Sequence, residues 1–284
     1  AGSYTLTNTH TPAAELNDSE PNNTYETSTS LTLNNSTAGH IGFYGNGTKD
    51  WYDWYKIESE DDGSIQFIGI PTTALDLKIS LFDTNGGNVI KDAELNGAAG
   101  INDTLNMNYL AAGTYYLRIT FNDGYGSYIL KNTLIATPEL NDAEPNNSYE
   151  TAISLAIDNS TTGHIGYYGD GTTDWYDWYK ITTTIDGDII FVCDPTDELD
   201  IKLTLYSSNG SSVIKDADIF GGIGISDTLT NESLNAGTYY LRITFNSGYG
   251  SYSLLAYDGN TTTNVESIEL SYVQIYPNPF KDKI

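Results

Sequence analysis

The sequence predicts an all-β protein built of two tandem antiparallel β-sandwiches of about eight strands each. Three observations carry this. Glu15–Leu130 aligns with Glu139–Leu254 at a constant shift of 124 residues and without a gap, and about two-thirds of the paired positions are identical, so the chain is an internal duplication. Within each unit apolar and polar residues alternate with period two, and no helical stripe of useful length appears. Turn signals such as Asn85-Gly86-Gly87, Ala112-Gly113 and Asp123-Gly124 recur along the unit, at intervals of about ten residues.

Taken in order, residues 1–14 are polar and aperiodic and read as a linker. The first sandwich is expected over 15–135 and the second over 136–258. In Leu75-Asp76-Leu77-Lys78-Ile79-Ser80-Leu81-Phe82 the Leu and Ile side chains face one way and Asp, Lys and Ser the other. Tyr115, Leu117, Ile119 and Phe121 form a second inward set, and Ser64–Ile70 and Tyr125–Leu130 are shorter runs of the same kind. The join, Ile135-Ala136-Thr137-Pro138, is short, which predicts two units held close with limited freedom. Residues 259–284 lose the repeat and form a further linker and tail.

Composition narrows the function. The 284 residues suffice for two separate cores. With 38 acidic against 12 basic residues the formal net charge is −26. That argues against nucleic acid and anionic membranes as partners, since both need Lys and Arg to displace counterions. It favours cation binding or solubility in a salty medium. The 23 tyrosines and the single methionine fit an extracellular β-protein with polar turns. Cys193 is the only cysteine, and Gly69 stands at its place in the first unit. No intramolecular disulfide is possible, so any staple comes from the core or a metal, and Cys193 is expected to be a small core residue. No apolar run approaches the length of about 18 residues that a membrane span needs, and no signal peptide is visible. The start at Ala1-Gly2-Ser3 reads as that of a processed or excised fragment.

The chemistry concentrates in two octets, Lys49-Asp50-Trp51-Tyr52-Asp53-Trp54-Tyr55-Lys56 and Thr173-Asp174-Trp175-Tyr176-Asp177-Trp178-Tyr179-Lys180, which hold all four tryptophans. Aspartates in a loop bind hard cations or cap backbone donors, and clustered aromatics pack or stack on flat ligands. If a strand starts near Asp53, Tyr55 and Ile57 point inward while Trp54 and Lys56 point outward. Trp51, Tyr52 and Trp54, with Tyr125 and Tyr128, then form a candidate stacking platform. Its copy is Trp175, Tyr176, Trp178, Tyr249 and Tyr252. The structural alternative is that these rings close the ends of the sandwich. Arg118 and Arg242 are the only arginines, at matching outward positions. They read either as cross-strand partners of Asp76 and Asp200 or as a bidentate grip on a ligand carboxylate or sulfate. His40 and His164 lie in Gly-His-Ile-Gly turns with no nucleophile motif nearby, and two binding modules in tandem are a more usual product of duplication than two active sites.

Three motifs in order carry a family resemblance. Asp18-Ser19-Glu20-Pro21-Asn22-Asn23, then Asp50-x-x-Asp53-Trp54-Tyr55, then Ala112-Gly113-Thr114-Tyr115-Tyr116-Leu117 resemble the bacterial pre-peptidase C-terminal (PPC) domain, whose family includes the collagen-binding domains of clostridial collagenases. The second unit repeats all three at Asp142–Asn147, Asp174–Tyr179 and Ala236–Leu241. The resemblance implies a jelly-roll-like sandwich, secretion, attachment to a larger enzyme, and a targeting rather than catalytic role. It also implies calcium held by Asp18, Glu20, Asn22, Asn23, Asp50 and Asp53, and again by Asp142, Glu144, Asn146, Asn147, Asp174 and Asp177. Asp takes the place of the family's first Glu. The tail, through Ile275-Tyr276-Pro277-Asn278-Pro279-Phe280, resembles the truncated start of a C-terminal type A sorting domain of the type IX secretion system of Bacteroidetes. That implies export or surface attachment.

The resulting expectation is a calcium-stabilised, non-catalytic targeting module, most simply for a polysaccharide, working beside the catalytic domain of a secreted hydrolase or lyase. An extracellular-protein (collagen-like) binder and a calcium-rigidified spacer are the alternatives.

Overall fold

The computed structural model describes residues 2–11, 19–45, 47–93, 97–137, 143–169, 171–217 and 221–259. The proposed ligands Asp18 and Asp142, and the tail bearing the sorting-domain motif, lie outside these residues. No α-helix occurs among the described residues, and the fold is all-β, as the period-two pattern predicts.

The first unit runs β1 (Thr29–Ser30), β2 (Ser36–Ile41), β3 (Tyr44–Gly45), β4 (Thr48–Lys49), β5 (Tyr52–Ser59), β6 (Gly63–Pro71), β7 (Leu75–Phe82), β8 (Val89–Asp92), β9 (Asp103–Leu110), β10 (Gly113–Gly124) and β11 (Gly126–Ala136). One sheet has the order β1-β5-β10-β7-β8, and facing it is β9-β6-β11-β2, while β3 and β4 form a small hairpin. The second unit repeats this as β12 (Ile153–Leu155), β13 (Asn159–Ile165), β14 (Tyr168–Gly169), β15 (Thr172–Thr173), β16 (Tyr176–Thr183), β17 (Gly187–Pro195), β18 (Leu199–Tyr206), β19 (Val213–Asp216), β20 (Asp227–Leu234), β21 (Gly237–Gly248) and β22 (Gly250–Asp258). Among the described residues each sandwich thus has nine strands plus a hairpin, against about eight expected. The additions are short, and β1 joins β5 in parallel, with Thr29 opposite Tyr55. A two-residue strand carries too little alternation to be read from sequence.

Alternation fixes the cores. Leu75, Leu77, Ile79 and Leu81 of β7 and Tyr115, Leu117 and Ile119 of β10 are buried between the sheets, with Tyr55, Phe67 and Tyr128. The second core repeats these positions, except that Tyr239, the counterpart of Tyr115, is only partly buried. It includes Cys193, whose thiol is pushed well up by burial and by the charge of Asp227. Cys193 is the small core residue expected.

The outer face of the five-stranded sheet is not simply polar. Register sets Arg118 opposite both Trp54 and Ser80. Its guanidinium lies 4.7 Å from the Phe82 ring centroid, 5.0 Å from Tyr52 and 5.3 Å from Trp54. Tyr25, in the 3-10 turn Tyr25–Thr27, packs edge-on to Trp54 at 6.3 Å. Trp54 does leave the core side of the sheet, yet only 7% of it is exposed, because Tyr25, Phe82 and Arg118 roof it. Trp178 is covered in the same way by Tyr149, Tyr206 and Arg242. Two expectations are corrected here. Neither Trp54 nor Trp178 is presented to a ligand. Arg118 does not pair with Asp76, which accepts from Asn122 instead at 2.8 Å, and Arg242 is likewise spent on rings while Asp200 accepts from Asn246.

Candidate metal and ligand site

The loop between β2 and β5 folds back on itself: the Asp50 amide donates to the Phe43 carbonyl at 2.9 Å, and the Gly42 amide to the Asp50 carbonyl at 3.1 Å. This sets Asp50 at the end of the sandwich. Asp53, one residue into β5, points inward with Tyr55 and is fully buried. The N-terminal segment reaches the same spot because the Trp54 amide donates to the Asn22 carbonyl at 2.9 Å. One carboxylate oxygen each from Glu20, Asp50 and Asp53 thereby falls within 4.8 Å of the others, and Glu144, Asp174 and Asp177 repeat the cluster.

Three carboxylates this close repel one another unless a cation lies between them. An oxygen-only donor set suits a hard cation rather than a thiolate- or imidazole-seeking one. Two side-chain amides test the fit. Both polar atoms of the Asn22 side chain are buried with no hydrogen-bond partner among the described residues, and Asn146 repeats this. An orphaned buried amide costs about 1–3 kcal/mol, so a ligand oxygen held ready is a coherent account of it. Asn23, with its amide nitrogen turned toward them, donates to Asp50 Oδ1 and the Tyr52 carbonyl at 2.9 Å each. Asn147 does the same to Asp174 Oδ1 and the Tyr176 carbonyl. Rotated by half a turn, either amide would add an oxygen to the cluster, an arrangement that only an intervening cation stabilises. The residues present fit a divalent metal.

Behind the acids lies a buried chain that the sequence reading missed. The Tyr128 hydroxyl donates to Asp53 Oδ2 at 2.5 Å, and Tyr55 hydroxyl lies 2.7 Å from that of Tyr128. Gly39 of β2 leaves the room, since a Cβ there would sit 2.4 Å from the Tyr128 ring. Tyr252, Asp177 and Tyr179 repeat the chain. Tyr128 and Tyr252 are therefore struck from the ligand platform, since register in β11 and β22 turns them inward, on the face of Leu130 and Leu254.

The exposed aromatics that remain are Trp51, 47% exposed, with Tyr52 and Tyr125, and in the copy Trp175 and Tyr176. Trp51 leans edge-on against Phe121 at 5.3 Å. An open concavity of about 700 Å³ joins this edge to the acids, lined by Glu20, His40, Tyr44, Asp50, Trp51 and Tyr52. Its counterpart of about 540 Å³ is lined by Glu144, His164, Asp174, Trp175 and Tyr176, and also by Asp62 and Ala112 of the first unit. Tyr249 is drawn into this junction, its ring 5.3 Å from that of Tyr109. The two copies thus differ: the first is open, and the second is partly roofed.

The roof is held by His164, whose Nε2 meets Asp62 Oδ2. Burial pushes the Asp62 carboxyl up, but the hydrogen bonds from His164 and the Ala112 amide, with the His164 charge, leave it below the usual range. No local pattern could show a contact 102 residues apart. It gives His164 a structural task.

Comparison with known proteins agrees with both resemblances. The secretion system C-terminal sorting domain family matches residues 61–132, which run from before β6 into β11 of the first unit rather than over the tail motif. Collagenase ColA of Clostridium perfringens is 25% identical over 259 residues, covering 85% of this chain and 22% of that protein. The chain therefore spans about a fifth of the length of this curated relative. A pre-peptidase C-terminal domain of a collagenase from Bacillus anthracis aligns at 21% identity over 37% of this chain and 94% of its own, with a TM-score of 0.32. The M60 catalytic domain with two CBM51 domains of Clostridium perfringens ZmpB aligns at 9% identity over 80% and 38%, with a TM-score of 0.22. The collagenase alignment extends over both units and bears out the likeness to PPC modules. The sorting-domain match marks the chain as secreted or displayed at the cell surface.

Proposed function

We propose that the chain is a calcium-stabilised, non-catalytic tandem module that holds a secreted enzyme on a polymeric substrate, with polysaccharide as the favoured ligand. The observation that carries this is a duplicated juxtaposition. Exposed Trp51 and Tyr52, and Trp175 and Tyr176, flank the oxygen clusters at the same end of each sandwich. Flat rings at a rigid edge suit the apolar faces of sugars. Glu20, Asn22, Asn23, Asp50 and Asp53, joined by Asp18, would supply the six to eight oxygens that calcium takes, and the second set would do the same. Bound calcium would neutralise an acidic rim that otherwise repels anionic glycans. The binding units are taken as 15–135 and 136–258, with the flanks as tethers, one of them leading toward a type IX export signal of a Bacteroidetes bacterium. A catalytic domain of hydrolase or lyase class would lie elsewhere in the parent protein.

The likeness to a collagenase supports a second reading, binding of an extracellular protein such as collagen. A panel of insoluble polysaccharides and fibrillar collagen, each with calcium and with EDTA, separates the two. Calcium-dependent retention on a glycan is the expected result. Retention on collagen alone would favour the second reading, and retention on neither would leave a calcium-rigidified spacer.

A further inference from the structure

The two units dock through a contact whose halves are both duplicated. In the intramolecular contact the second-unit hairpin β14–β15 extends the β9 edge of the first unit, so that the sheet grows to the order β15-β14-β9-β6-β11-β2. Tyr168 pairs with Leu110, and its carbonyl accepts from the Ala111 amide at 2.7 Å and the Tyr115 hydroxyl at 3.1 Å. His164 meets Asp62 alongside. The approach is close: a Cβ on Gly169 would lie 2.8 Å from the Ala111 side chain.

Duplication places the same two halves at the opposite ends of the molecule. The hairpin β3–β4 carries Tyr44 and Gly45 where the second unit has Tyr168 and Gly169, and among the described residues it pairs only with itself. Tyr44 is 76% exposed and Tyr125 60%, whereas their counterparts Tyr168 and Tyr249 are partly covered. At the far end, among the described residues, β20 is the last strand of a four-stranded sheet. There Asp186 Oδ1 accepts from the Ala236 amide at 2.7 Å, as Asp62 Oδ1 does from Ala112 at 2.5 Å. The Tyr239 hydroxyl donates to the Asn235 carbonyl at 2.9 Å, as Tyr115 does to Ala111 at 2.8 Å. The receiving half is thus already in the posture that it has inside the molecule.

We propose that hairpin β3–β4 of one copy docks on the β20 edge of a second copy, with His40 set against Asp186. An exposed edge strand with its matching acceptor edge on the same chain is a template for such pairing. The contact is heterologous, joining unlike surfaces without a two-fold axis, so it propagates head to tail instead of closing as a dimer. It is weaker than its intramolecular model. Ser233 stands where Tyr109 stacks on Tyr249, Asn235 replaces Ala111, and no linker raises the local concentration.

Sedimentation of the full chain over a concentration series tests this, in raised salt to screen the net charge of −26. The wild type is expected to sediment faster as concentration rises. Gly45 has nothing within 4 Å of an added Cβ, so Gly45→Glu leaves the monomer intact while blocking the hairpin end. Asn235→Glu, at an exposed position, blocks the other end. Each variant alone is expected to associate at least about tenfold more weakly, by overpacking a tight contact. An equimolar mixture, which retains one good end of each kind, is expected to recover a dimer and nothing longer. A wild type that stays monomeric at the highest concentration reached, or an association that survives in either variant alone, overturns the proposal.

Discussion

Tyr128 donates its hydroxyl to Asp53 Oδ2 at 2.5 Å in the sealed end of the first sandwich, which ties the metal candidate to the core rather than to a surface loop. The tyrosine is held protonated: burial, then the charge of Asp53, pushes its pKa well above the usual value. It is therefore a donor at any working pH, and it fixes Asp53 Oδ2 in a carboxylate of which one oxygen lies within 4.8 Å of those of Glu20 and Asp50.

Tyr128→Phe removes that donor and keeps the ring against Gly39. Loss of a hydrogen bond to a buried carboxylate is expected to cost about 1–3 kcal/mol in EDTA. Loss of the group that orients a ligand is expected to weaken calcium about 10–100-fold. Calorimetry with and without calcium checks both. In the wild type, millimolar calcium is expected to add about 1–2 kcal/mol per site, seen as a raised Tm. Identical wild-type scans in calcium and EDTA would remove the metal from the account.

Asp103, at the start of β9, gives a pH signature distinct from the metal cluster. It is buried, its Oδ1 accepts from the Gly97 amide at 2.6 Å, and burial outweighs that bond to push its pKa to about 6 from the usual 3.8. A raised folded pKa means that the native state holds the proton more tightly. This contribution is complete below the unfolded value of 3.8 and is lost as pH rises through about 6. Asp103→Asn keeps an acceptor for Gly97 and never ionises. Relative to wild type it is expected to gain up to about 3 kcal/mol between pH 4 and pH 7. Denaturant midpoints across that range decide, and a constant difference between the two proteins would refute the assignment.

Asp62 runs the other way. Its folded pKa is depressed, so its contribution to docking is present above the usual 3.8 and lost as pH falls below that value through the folded one. Asp62→Asn is expected to cost about 1.5–3 kcal/mol of unit–unit docking, the worth of a hydrogen bond to a charged group. Asp186→Asn, at the same place in the second unit, is expected to leave the docking unchanged. Distances between spin labels on the two units read this directly. Equal broadening in both variants would mean that the Asp62–His164 pair is not the clamp.

What the sequence made legible follows from the range of the interactions. Alternation within one strand placed Leu75, Leu77, Ile79 and Leu81 correctly, because a strand's period is a local property. The family resemblance brought Glu20, Asp50 and Asp53 together. Asp50 and Asp53 flank the start of β5, while Glu20 comes from the N-terminal segment that reaches β5 through the Asn22 carbonyl. Tyr128 was open to the reasoning from alternation, since it lies in the alternating run Tyr125–Leu130 and shares a face with Leu130, but its ring was grouped with the aromatics of the octet as a stacking platform. The roof over Trp54 was not legible. It needs Tyr25 from a preceding turn, Phe82 from β7 and Arg118 from β10, and only sheet order and register bring these together.

That roof separates two tryptophans three residues apart. Trp54→Ala empties a covered site, and removal of a buried Trp costs about 3–5 kcal/mol. It is expected to lower the Tm of the first unit while the second unit still retains the chain on its polymer. Trp51→Ala removes a ring that is half in solvent and touches Phe121 only by its edge. It is expected to leave the Tm almost unchanged and to weaken retention by about 1–3 kcal/mol, the worth of one aromatic contact in a binding site. Pairing it with Trp175→Ala extends the loss to the second unit, and the two effects add if the units bind independently. Retention that follows Trp54 and ignores Trp51 would place the ligand on the arginine-capped face of the sheet, away from the acidic rim.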